Sequence, residues 1–103
     1  MFGILKSLFG STSSEQIKEM IANGALLVDV RTSGEFASGS VKGAVNIPLD
    51  RVSAQIAKFK NTKGVVVFCQ SGMRSSQAKN ILEKNGIQNV VNGGSWYSVK
   101  ALV

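Results

Sequence analysis

The strongest constraint on the fold is the alternation of short apolar, strand-forming runs with stretches whose apolar residues recur at helical spacing. Val65-Val66-Val67-Phe68, released by Gly64, is β-branched and aromatic and carries the clearest strand signal in the chain. Ala25-Leu26-Leu27-Val28-Asp29-Val30 is a second run, of the mostly apolar kind buried on both faces of a parallel sheet. Ala44 to Ile47, stopped by Pro48, and Asn89 to Val91 complete the predicted strands.

Helices are expected between them. Thr12 and Glu15 have capping-box spacing ahead of Ile17, Met20 and Ile21, which predicts a helix from Ser13 to Asn23 ended by Gly24. A short helix is expected over Ser33 to Ser38. Asp50 is expected to cap a helix that points Val52, Ile56 and Phe59 inward and leaves Lys58 and Lys60 in water. Ser75 to Asn85 reads as a helix burying Ala78, Ile81 and Leu82, with Gly86 as its stop, and Gly93-Gly94 as a turn before a last short helix carrying Trp96. Strands alternating with helices through short turns predict an α/β fold, a central parallel β-sheet flanked by helices on both faces.

The chain of 103 residues suits one core, and its 44% hydrophobic content can fill it. We divide it into a lead segment, 1–11, and a single domain, 12–103. In the lead segment Lys6 breaks the apolar stretch and no basic residues precede it, so no signal peptide is expected. Nothing approaches the roughly 20 apolar residues of a membrane span, and the expected location is cytoplasmic. On a helix, Phe2, Leu5, Leu8 and Phe9 would share a face, as a lid on the domain or a surface-touching turn.

Counts of single residue types narrow the chemistry. With no His and one Cys, the chain has no disulfide framework, zinc cluster or Cys-His pair, and no metal or cofactor is expected. Twelve Lys and Arg against six Asp and Glu give a net charge of +6, which favours anionic partners. The basic residues are scattered, without aromatic interleaving or a nucleic-acid signature, so a small anion is expected and nucleic acid is not.

The informative stretch is Cys69-Gln70-Ser71-Gly72-Met73-Arg74-Ser75, between a buried strand and a helix start. Ligands of open α/β sheets bind at the carboxyl ends of strands, where Asp29 and Cys69 are both expected. Amides of a tight loop, a helix N-terminus and the Arg74 charge all favour thiolate over thiol. An ordinary cysteine with pKa about 8.5 is only roughly 3% thiolate at pH 7, so such a loop activates Cys69 without a histidine. Gly72 lets the backbone turn so that the amides converge, and Ser71, Ser75 and Ser76 add hydrogen bonds or a cap. The alternative is a cysteine that only packs, and it loses weight because the loop is polar and holds both Gly72 and Arg74. Asp29 accepting backbone N–H bonds and Arg31 pairing with Glu35 is the plain structural reading of that strand end. Trp96 reads as core.

These segments resemble the rhodanese family of sulfurtransferases, specifically its single-domain members. The resemblance runs from Gly24 to about Trp96 and rests on Asp29-Val30-Arg31 with Glu35-Phe36, Gly39 to Pro48, the loop Cys69 to Arg74, and Gly93-Gly94 before Trp96. It implies a rhodanese-like fold and a double displacement. Cys69 would take a sulfane sulfur from a small anionic donor such as thiosulfate and pass it from a persulfide to cyanide, a thiol or a protein sulfur acceptor. It further implies that Gln70, Ser71, Gly72, Met73, Arg74 and Ser75 cradle the substrate, and that Asp29 braces the loop with Arg31 in support. Ser40 stands where the family often has His, and Arg74 is the only cation in the loop.

Three alternatives stand beside this reading, one of them a sulfur carrier that hands the persulfide sulfur to a partner enzyme and differs only in the acceptor. A Cys-based phosphatase or arsenate reductase needs one more residue between cysteine and arginine than Gln70 to Met73 provide. A non-catalytic binding module of the same fold usually lacks the cysteine that this chain keeps.

Overall fold

The computed structural model describes residues 12–103, and the expectations for the lead segment lie outside the described residues. Four parallel strands form one sheet in the order β2-β1-β3-β4, with β1 at Leu26–Asp29, β2 at Val45–Asn46, β3 at Val65–Cys69 and β4 at Val90–Ser95. The helices are α1 (Ser14–Ala22), α2 (Ser33–Ala37), α3 (Leu49–Val52) running into a 3-10 segment at Ser53–Phe59, α4 (Met73–Lys84) and α5 (Trp96–Lys100).

The period-two alternation of β3 distributes its side chains between two cores. Val65, Val67 and Cys69 join Val28, Val30, Val52, Phe59, Ala78 and Leu82 beneath α3 and α4. Val66 and Phe68 face the other way, onto Ile17, Leu27, Val41, Val91 and Val99 beneath α1 and α5. Every residue of β3 is buried, as a central strand with both faces covered requires. Among the described residues no helix is long and apolar enough to cross a membrane.

Local chemistry departs from the sequence expectations at four places. The cap of α1 is Ser13, whose side chain accepts from the Gln16 amide, and not the Thr12–Glu15 pair. Asp50 lies within the first turn of α3, with Pro48 at the N-cap, so the run to Phe59 is a four-residue helix and a kinked 3-10 segment. The helix after Cys69 begins at Met73, which places Arg74 in its first turn.

The largest departure is at Gly93-Gly94, which belong to β4 and not to a turn. Val67 pairs with Asn92 and Phe68 with Gly94, so Gly93 is the extra residue of a bulge. A Cβ on Gly93 would lie 2.7 Å from Val99 Cγ2 and 3.0 Å from Val66 Cγ1, both fully buried. Only glycine lets α5 close on the sheet at this point.

Candidate active site

Cys69 ends β3, and Gln70, Ser71 and Gly72 carry the chain into α4. Gly72 has φ +97°, a left-handed conformation that favours glycine, and it serves as the N-cap without a side chain. This turn aims the Gly72 amide at Cys69 Sγ at 3.0 Å, while the Ser75 amide reaches the same sulfur at 3.4 Å. Ser75 is fully buried and places its Oγ 3.4 Å from Sγ. The sulfur of Cys69, a residue 1% exposed, therefore faces two amide donors and the Ser75 hydroxyl at the N-terminus of a 12-residue helix.

The balance of these effects holds the Cys69 thiol below its ordinary value. Burial pushes it up, and the Ser75 hydroxyl with the amides of Ser75, Ser71 and Gly72 more than offsets that. The sequence reading shared this work among the loop amides, the helix N-terminus and Arg74, and the amides are in place. Arg74 itself makes a two-pronged ion pair with Glu35, Nη1 to Oε1 at 2.7 Å and Nη2 to Oε2 at 3.0 Å. Glu35 also closes a capping box on α2, accepting from Thr32 N at 3.0 Å and Thr32 Oγ1 at 3.1 Å. Arg74 beside it, followed by the Thr32 bonds, pulls the Glu35 carboxyl down to about 2.

Asp29 and Arg31 form a separate buried pair, 0% and 3% exposed. Asp29 Oδ1 accepts from Arg31 N at 2.9 Å and Nε at 3.0 Å, and Oδ2 accepts from Nη2 at 2.7 Å and from Ser40 Oγ at 2.6 Å. Arg31 Nη2 also donates to Gly39 O at 2.6 Å, and the guanidinium lies 4.9 Å from the Trp96 ring centroid. Two expectations are thereby corrected: Asp29 bonds to Arg31 and Ser40, not to the cysteine loop, and the partner of Arg31 is Asp29, not Glu35. A carboxylate two residues before the arginine, held at the carboxyl end of β1, meets its charge more closely than one on α2.

A cleft of about 260 Å³ abuts the loop at Gln70 and is lined by Arg31, Glu35, Gly39, Trp96 and Tyr97 among others. Within the loop Gln70, Ser71 and Met73 are exposed, Arg74 is half-buried and Ser75 is buried beneath them. Two residues of the site, Thr32 and Asn92, escaped sequence reading, and Glu35 was read as the partner of Arg31. The capping spacing of Thr32 and Glu35 is a local signal that could have found the first. Asn92 bonds to Ser75, Gly72 and Gly94, and its position two residues before a glycine was the only local sign.

Residues 13–101 match the family described as the rhodanese-like domain. The chain is 41% identical over 69 residues to the thiosulfate sulfurtransferase PspE of Escherichia coli, covering 65% of this chain and 66% of that protein. It is 33% identical over 81 residues to a sulfurtransferase of Allochromatium vinosum, covering 77% and 76%. It spans 54% of the length of YqhL of Bacillus subtilis, with 38% identity over 68 residues. Among solved structures, the human single-domain sulfurtransferase TSTD1 superposes with a TM-score of 0.72 at 27% identity, covering 86% of this chain and 93% of that one.

Proposed function

This chain belongs to the rhodanese-like family, and from that premise we propose that it transfers a sulfane sulfur through a persulfide on Cys69. The observation that carries the reading is the convergence of the Gly72 and Ser75 amides on one buried sulfur, with the Ser75 hydroxyl within reach of it. Such a set stabilises a thiolate, and a persulfide carries the same negative charge one sulfur further out.

In the first half-reaction the Cys69 thiolate attacks the outer sulfur of thiosulfate. An S–S bond forms on Cys69, the sulfur–sulfur bond of the donor breaks, and sulfite leaves with its electron pair. In the second, cyanide or a thiolate attacks the outer sulfur of the persulfide, departs as thiocyanate or a new persulfide, and returns Cys69 as thiolate. The amides of Gln70 to Ser75 cradle the transferred sulfur. Met73 and Gln70 border the entrance, and a protein thiol is an acceptor that would approach there. Arg74 attracts the anionic donor at long range and is already engaged by Glu35, so it adds less than a free guanidinium. Asp29 and Arg31 support the wall of the cleft.

The test is intact mass after reduced protein is incubated with thiosulfate and freed of excess, beside Cys69→Ser treated identically. One added sulfur on the parent, absent from the variant and removed by cyanide, is the expected result. Folded, reduced protein that takes up no sulfur from thiosulfate or from a persulfide donor overturns the reading in favour of a binding module.

A further inference from the structure

Asn92 makes three hydrogen bonds, and two of them fix the direction of the proton in the third. Its Nδ2 donates to Gly72 O at 3.0 Å, and its Oδ1 accepts from Gly94 N at 2.9 Å. A carbonyl cannot donate and an amide N–H cannot accept, so the orientation of the Asn92 amide is set by both neighbours. Ser75 Oγ lies 2.7 Å from that same Oδ1, which has no proton to give, so the single hydroxyl proton of Ser75 points at Asn92. What Ser75 presents to Cys69 Sγ, 3.4 Å away, is then a lone pair. A lone pair suits an S–H donor and repels a thiolate.

We propose that Asn92 is a positioning residue that holds the Ser75 hydroxyl proton away from Cys69 while the sulfur is a thiol, and yields it to the sulfur when the thiol ionises. The proton of the thiol leaves to solvent, the hydroxyl turns about its Cβ–Oγ bond, and Asn92 Oδ1 keeps its bond from Gly94. The thiolate thus gains the Ser75 donor only by giving up the bond to Asn92, so Asn92 restrains the reactivity of Cys69. Its bond to Gly72 O meanwhile anchors the turn whose amide also points at the sulfur.

The proposal deepens the reading of Cys69 as the sulfur-carrying thiol. It is tested without a sulfur donor, so its failure is separate from failure of the persulfide experiment. The charged groups around Cys69 are Arg74 on α4 with its partner Glu35 on α2, and Asp29 at the end of β1 with Arg31 just after it; β4 contributes none. All stay in place in the variants used. The apparent pKa of Cys69 is read from the pH dependence of iodoacetamide alkylation in four proteins: the parent, Asn92→Ala, Ser75→Ala and the double variant. Freed from Asn92, the Ser75 proton turns to the sulfur, so Asn92→Ala lowers the pKa by about half a unit to one unit, the scale of one hydrogen bond. The shift disappears when Ser75 is alanine. A residue that merely shaped the loop would give the opposite sign, since a loosened turn removes the Gly72 amide and lets the pKa rise.

Should Asn92→Ala fail to fold, Asn92→Asp carries the test. It keeps the acceptor and pulls harder on the same proton, so the pKa rises by more in the Ser75 protein than in the Ser75→Ala protein. An unchanged or raised pKa in Asn92→Ala, or equal shifts with and without Ser75, overturns the proposal.

Discussion

Replacing Asp29 by asparagine should destabilise the domain severely while leaving its shape in place. Arg31 is 3% exposed, and its charge is balanced by one carboxylate that it meets through Nε, Nη2 and its own amide. An asparagine of the same outline offers one oxygen and turns an NH2 group toward the guanidinium, so a buried cation is left without a counter-charge. Breaking a buried pair on one side costs about 3–5 kcal/mol. Domains of this size are stable by about 5–15 kcal/mol in total, so the variant should lose a large share of that. With a urea slope of about 1–3 kcal/mol/M, the unfolding midpoint should fall by at least ~1 M. The single Trp96, stacked near Arg31, supplies the fluorescence signal. The second arm is Asp29→Asn with Arg31→Met. Removing both charges removes the uncompensated cation, so the double variant should recover most of the loss, even though Ser40 and Gly39 lose partners. A loss below about 1 kcal/mol for Asp29→Asn, or a double variant less stable than the single, would refute the account of this pair.

Three shorter predictions follow from other parts of the fold. Gly93→Ala forces a Cβ to within 2.7 Å of Val99 Cγ2, and overpacking of this kind costs about 1–3 kcal/mol, read as a lowered urea midpoint; an unshifted midpoint means that α5 can lift off the sheet freely. Phe59→Ala empties a site that is 1% exposed, with an expected loss of about 3–5 kcal/mol in the same assay, and a loss under ~1 kcal/mol would mean the 3-10 segment collapses into the space. The Glu35 carboxyl is lowered to about 2 in the folded protein, so its pairing stabilises fully above the unfolded value near 4.5 and is lost as pH falls toward 2. Both side chains of that pair keep 34% of their surface, so the gain is at most about 1 kcal/mol, and the stability gap between parent and Glu35→Gln should narrow from pH 6 to pH 3.

Much of this architecture was legible in the linear chain because it depends on neighbours along it. Strand β3 declared itself by four consecutive β-branched and aromatic residues, α1 and α4 by their apolar spacing, and the site by a lone cysteine ahead of a glycine and an arginine. These features follow from backbone preference and from burial of one face, which act over a few residues. The caps were harder, because Thr12 and Ser13, or Pro48 and Asp50, offer competing starts whose choice depends on how the preceding chain enters.

What the tertiary structure alone decided is who partners whom around Cys69. Arg74 finds Glu35 from 39 positions away, and Ser75 finds Asn92 from 17. The second pairing requires the β3–β4 register and the bulge that makes Gly93 the unpaired residue and brings Gly94 opposite Phe68. Hydrogen bonds and ion pairs act over a few ångströms, whereas these residues lie far apart along the chain. Sequence therefore determined that a thiol would sit at the end of a buried strand before a helix, and only the packed sheet determined which groups set its proton.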